Sequence, residues 1–167
     1  MESLGALTLQ DLSVLQQVLN EIPVPCFMVD RAHRVTVWNK SCEQTTGYLA
    51  PSMLNTRDAW RAFYPEKRPV LADLVVDGLL FQELQTHYAG QVRMSSFFDG
   101  VVEIDAFFPS MGPHGRWLYA TAAPVRSPDG QIIGALEVLQ DVTPVRLAEQ
   151  RTTTLLNSTP DAMLVVD

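Results

Sequence analysis

Residues Gly115 to Thr143 read GRWLYATAAPVRSPDGQIIGALEVLQDVT, two β-rich runs divided by one turn signal. Ser127, Pro128, Asp129 and Gly130 supply the turn, because proline presets the backbone of a turn corner and Asp-Gly reverses the chain at little steric cost. On either side, Arg116 to Val125 and Gln131 to Gln140 predict an antiparallel pair. Upstream the hydrophobic period is two, with Val102, Ile104, Ala106 and Phe108 on one strand face. Gly112, Pro113 and Gly115 turn that strand into the next, completing a three-strand meander. Downstream, Thr143 and Pro144 form a cap and first-turn pair, opening a helix through Arg146, Glu149 and Arg151 to about Leu156.

The first half has a different rhythm. Leu9, Leu12, Val14, Leu15, Val18, Leu19 and Ile22 recur at threes and fours, and Thr8 followed by Asp11 resembles a capping box, so Thr8 to Glu21 predicts a helix. Pro23 and Pro25 stop it. Cys26 to Asp30 and Arg34 to Trp38 are short β-rich runs joined tightly at Arg31 to His33, a hairpin signal. Asn39 stands where a helix needs its cap, ahead of Lys40 to Thr46, and Gly47 stands in the C-terminal left-handed position. From Tyr48 to Gly100 the pattern predicts helices rather than strands. Pro69 sits at a first helical position, Leu71, Leu74 and Val75 form a stripe and Gly78 closes it. In a second short helix Leu80, Leu84 and His87 fall on one stripe flanked by Phe81 and Tyr88, which aims His87 at apolar neighbours.

Helix, two strands, several helices, three strands, helix is an α+β order with an antiparallel sheet covered on one face. Neither a βαβ alternation nor a glycine-rich phosphate loop is present, which argues against nucleotide chemistry. With 167 residues, 47% of them hydrophobic and 19% charged, the chain can bury one core. Twelve basic residues against 19 acidic ones, net −7, form no stripe that could track phosphates, so no nucleic-acid partner is expected. No apolar run approaches the roughly 18 residues of a membrane span, and Glu2 and Asp11 stand where a secretory signal carries positive charge. The expectation is a cytoplasmic segment without direct membrane contact. Cys26 and Cys42 cannot form a disulfide framework and read as packed thiols.

Leu19 to Asp30 reads LNEIPVPCFMVD and Leu156 to Asp167 reads LNSTPDAMLVVD, sharing Leu, Asn, Pro, Val and Asp at equal offsets. A second copy of the domain is therefore expected to begin at the C-terminal end. The expected organisation is an N-terminal helix over residues 1–21, a domain over 22–143, a linker helix over 144–158 and the truncated start of a second domain over 156–167.

The hairpin FMVD and RVTVWN, the stretch NKSCEQTTGY from Asn39 to Tyr48, and Gly115 to Thr143 with its closing Asp-Val-Thr together resemble the PAS sensory family of bacterial signal transducers. The long segment before the third strand of that pattern, with WRAFYP and KRPVLADLVVDG, resembles a subgroup of it. The sequence departs from the pattern at Ser41, where Ala is usual, at Cys42, where an aromatic is common, and at His33, in a turn position often filled by Gly. The resemblance implies a five-stranded antiparallel sheet in spatial order 2-1-5-4-3, helices over one face and a cavity between them. It implies sensing of a small molecule, passed through the C-terminal helix to a downstream PAS domain and an output module such as a histidine kinase or a cyclic-dinucleotide enzyme.

On that footing Arg57, Trp60, Phe63, Tyr64, His87 and Tyr88 are candidate ligand contacts, although the aromatic cluster serves equally to bury the long segment. His87 is either a haem ligand, as in haem-binding PAS domains, or a packed histidine. Cys42 in NKSCEQ does not match the Asn-Cys-Arg-Phe motif of flavin photoreceptors, so a flavin adduct is not expected. Asp141 and Thr143 are expected to hydrogen-bond the strand-to-helix joint and transmit the signal. Val145, Ala148, Thr152 and Leu155 have coiled-coil spacing, suiting a homodimer. Glu103 and Asp105 share a solvated strand face, and His33, His87 and His114 fit neither metal-ligand spacing nor a Ser-His-Asp order. The expected role is regulatory rather than catalytic. The alternatives are a ligand-free PAS dimerisation module or a small cone-shaped α+β isomerase, which would need a carboxylate or His pair inside the cavity.

Overall fold

A computed structural model of the protein describes residues 9–78, 81–88 and 91–158. Helix α1 (Leu9–Glu21) leads into the hairpin β1 (Cys26–Asp30) and β2 (Val35–Trp38), followed by the short helices α2 (Lys40–Thr46) and α3 (Ala50–Met53). A 3-10 turn at Ala59–Ala62 precedes α4 (Leu71–Val76) and α5 (Phe81–His87). Strands β3 (Val92–Met94), β4 (Val102–Phe108), β5 (Arg116–Arg126) and β6 (Ile132–Asp141) complete the sheet, and α6 (Thr143–Ser158) leaves it. The expected cap at Thr8 and the repeat beyond Ser158 lie outside the described residues.

The sheet is antiparallel in the order β2-β1-β6-β5-β4-β3. It has six strands, not the five expected. The extra one, β3, pairs Val92 with Ile104 and Met94 with Val102 at the sheet edge. Only Val92 of its three residues is buried, so no alternating run was long enough to announce a strand. The meander and the first hairpin match the sequence reading. Around the hairpin turn, Asp30 Oδ1 accepts the backbone N–H groups of Ala32 and Arg34 at 2.8 and 2.9 Å. His33 takes φ +61° there, which explains why Gly is common at such a position.

Asn39 caps α2 as expected, accepting the Cys42 N–H at 2.8 Å, and it does more. The same Oδ1 accepts the Cys26 N–H at 3.0 Å, while Nδ2 donates to the carbonyls of Leu19 and Val24 at 3.0 and 2.9 Å. This fully buried side chain therefore ties the end of α1, the start of β1 and the start of α2 together. Gly47 closes α2 at φ +79°.

The core lies between the inner sheet face and the helices. Its aromatic spine runs from Trp38 through Phe27 and Phe63 to Phe108, neighbouring ring centroids lying 5.3 to 6.0 Å apart. Small side chains at Ala120, Ala122 and Ala135 let α4 approach the sheet closely, and Leu71, Ala72, Leu74 and Val75 are buried there. Leu71 rather than Pro69 is the first helical residue, and Val70 precedes it. Its N–H is held by Asp73 Oδ2 at 3.0 Å, the reciprocal arm of a capping box, which moves the start of α4 beyond the proline.

Candidate functional site

The strand-to-helix joint is built from residues that alternate outward on the sheet. Asp141 ends β6 and accepts the Thr143 N–H at 2.9 Å. The Thr143 hydroxyl does not cap its own helix. It reaches across to β5, accepting the Trp117 N–H at 2.9 Å, and the Val142 N–H bonds the Trp117 carbonyl at the same length. Arg116 pairs with Asp141 at 3.5 Å. One turn into α6, Arg146 pairs with Asp105 of β4 and lies 5.0 Å over the Trp117 ring. The face of Glu103 and Asp105 is thus not merely solvated, since Asp105 anchors the exit helix. Asp141 and Thr143, named from sequence, do meet at one place.

A second polar point lies inside. Strand alternation puts Glu137 on the inner face between Ala135 and Leu139, opposite Phe27 and Ala122 on the neighbouring strands. It is 4% exposed, and its Oε2 accepts the Ala72 N–H of α4 at 2.8 Å. Burial pushes its carboxyl up to about 8; the Ala72 N–H partly offsets this and Asp73 adds to it. The protonated form thus prevails at neutral pH. Its position was readable from Ala135-Leu136-Glu137-Val138-Leu139, where a period of two turns the glutamate inward, but an overwhelmingly apolar run concealed it.

The candidate ligand contacts separate into three settings. Phe63 is part of the aromatic spine. Tyr64 and Tyr88 form a partly buried pair with their hydroxyls 3.3 Å apart, and burial pushes the Tyr64 phenol up to about 12 and the Tyr88 phenol well up. Arg68 lies 4.3 and 5.3 Å over their two rings and donates to the His87 carbonyl at 2.7 Å. His87 itself is exposed. Leu84 and Tyr88 carry the buried stripe of α5, so His87 falls off it and does not face apolar neighbours. A buried axial imidazole is thus not what α5 provides.

Arg57 and Trp60 belong to the third setting, a surface groove of about 450 Å³ shared with Lys67, Arg68 and Pro69. His33, Asp73 and Asp77 also line it. His33 Nδ1 lies 2.9 Å from Asp73 Oδ1 and Nε2 lies 3.1 Å from Asp77 Oδ1, latching the first hairpin to α4. The sequence had no means of joining residues so far apart along the chain.

Cys26 and Cys42 are free and buried, and burial raises both thiols, most strongly that of Cys42. Among the described residues no group of three or more His, Cys, Asp or Glu side chains could hold a metal ion, and no helix is long and apolar enough to cross a membrane.

A family model described as the PAS fold matches residues 19–147, and the chain belongs to that family. Family members are generally sensory or regulatory input modules. Among solved structures, the chain is similar to the PAS domain of BvgS from Bordetella pertussis, at 16% identity and a TM-score of 0.51, over 88% of this chain and 98% of that one. It is similar to a PAS domain from Colwellia psychrerythraea at 16% identity and a TM-score of 0.52, over 80% and 98% of the two chains. An RNA-binding light-oxygen-voltage receptor gives 18% identity and a TM-score of 0.54 over 94% of this chain, which spans 40% of the receptor's length. No curated protein matches.

Proposed function

We propose that residues 22–143 form the sensory unit of a signalling protein, and that a small molecule acting on the cover between Arg57 and Tyr88 passes its effect through the sheet into α6. The observation carrying this reading is the exit joint. Asp141, Thr143, Arg116 and Arg146 link the last strand, β5, β4 and the exit helix through polar contacts near the surface. Binding that favours one arrangement of the cover would then bias the joint. In this reading residues 144–158 are the linker, a second PAS domain starts at 156–167, and a histidine kinase or cyclic-dinucleotide enzyme further along supplies the output. The unit itself is regulatory.

Purifying the chain from cells and identifying co-purified molecules by visible absorbance and mass spectrometry tests the reading. A stoichiometric metabolite supports it. A blank, with Asp141→Ala leaving regulation in the complete protein unchanged, contradicts it.

The exposed apolar residues Val14, Leu15 and Val18 on α1 and Val145, Leu147 and Leu155 on α6 favour a homodimer through the flanking helices. Ala148→Asp with Leu155→Asp should lower the association state in sedimentation, and an unchanged state would remove α6 from the interface. A ligand-free dimerisation module is the second reading, favoured by the aromatic side chains that already fill the core.

A further inference from the structure

The surface groove between the first hairpin and α4 has an unusual charge arrangement for a chain of net −7. Arg57, Lys67 and Arg68 converge on it. Among the described residues neither Arg57 nor Lys67 takes part in an ion pair or a hydrogen bond, while both acids that line the groove are engaged by His33. Arg68 is held in place by the Tyr64 and Tyr88 rings and the His87 carbonyl, so one of its two terminal nitrogens is used and the rest of its fork remains available. Trp60 and Pro69 line the same groove and supply its apolar surface.

We propose that this groove binds a small organic monocarboxylate, its charge taken by Arg57, Lys67 and Arg68 and its apolar part lying along Trp60 and Pro69. The volume, about 450 Å³, suits a compact metabolite. Arg57, Lys67 and Arg68 outnumber Asp73 and Asp77, so the groove is net positive, and the apolar surface of Trp60 and Pro69 beside these cations favours an organic carboxylate over inorganic phosphate. Such a ligand lies against the 3-10 turn through Trp60 and beside the latch that His33 makes with Asp73 and Asp77. It is therefore placed to change how firmly α4 is latched to the hairpin. That consequence rests on the proposed sensory role, whereas the binding does not.

Isothermal titration of the whole chain with benzoate, indole-3-acetate, inorganic phosphate and benzylamine tests the proposal, with amide exchange across residues 143–158 followed in parallel. At least one of the two carboxylates should bind with a submillimolar Kd, and Arg57→Gln with Lys67→Gln should weaken it about tenfold or more. Both substitutions are at exposed side chains, so the fold should be kept. The proposal is overturned if neither carboxylate binds below about 10 mM, if the double variant binds as tightly as the wild type, or if phosphate or benzylamine binds better than either carboxylate. Carboxylate binding that leaves exchange at 143–158 unchanged would keep the site and overturn its link to the exit helix.

Discussion

At the entry to the sheet, α1 is fastened by Asn39, a neutral side chain with no exposed surface whose amide makes all of its principal bonds to backbone. At the exit, α6 is fastened by Asp141, Thr143 and Arg146, which lie near the surface and rely largely on charge. The two joints are not equivalent in energy. Breaking the Asn39 hub strands buried donors and acceptors, each costing about 1–3 kcal/mol. Opening the exit exchanges half-exposed pairs for water, at roughly 0–1 kcal/mol each. The entry is therefore expected to hold position while the exit moves without unfolding the domain, which in the proposed sensory role would give a signal its direction.

Asn39→Ala should break that contrast most severely. Two backbone N–H groups and two carbonyls lose their partner, so stability by chemical denaturation should fall by on the order of 4 kcal/mol. Glu137 sharpens the comparison from inside the cover. Its folded carboxyl titrates near 8 against an ordinary 4.5, so the folded state holds a proton that the unfolded state has released over that interval. Stability contributed by this group is complete below about pH 4.5 and lost as pH rises through about 8, a total on the order of 3 kcal/mol once water entry is allowed for. Denaturation midpoints should decline across that window in the wild type and flatten in Glu137→Gln. At the exit, Thr143→Val removes the acceptor for the Trp117 N–H and should cost about 1 kcal/mol. Asp141→Ala should cost about 0.5–1 kcal/mol, because it removes an exposed acceptor of the Thr143 N–H and a pair with Arg116 that is about one-third exposed. A cost for Asp141→Ala equal to that for Asn39→Ala would erase the distinction.

Features written in local order could be read from the chain. The meander was legible because alternation and turn residues recur over successive short spans, and Asn39 and Gly47 announced both ends of α2. Asp141 and Thr143 were found because the joint follows directly from β6. What escaped depended on distance or on very short elements. Strand β3 spans three residues with one buried, and no periodicity exists at that length. A stripe drawn through Leu80, Leu84 and His87 turns His87 inward, whereas the buried face of α5 runs through Leu84 and Tyr88. The groove needs His33 brought against Asp73, 40 residues later, and only the closed sheet and its cover do that. Glu137 was in view throughout, but its partner is the Ala72 backbone, and a backbone donor leaves no sequence signal.

The most direct test is native-state hydrogen exchange on the unmodified chain, comparing the Cys26 and Cys42 amides at the entry with those of Trp117, Val142 and Thr143 at the exit. The account predicts that the entry amides exchange only through global unfolding, while the exit amides exchange through local opening about a hundredfold faster after correction for intrinsic rates. Equal protection at both joints would contradict it, because the exit would then be as rigid as the hub and could not carry a signal into α6.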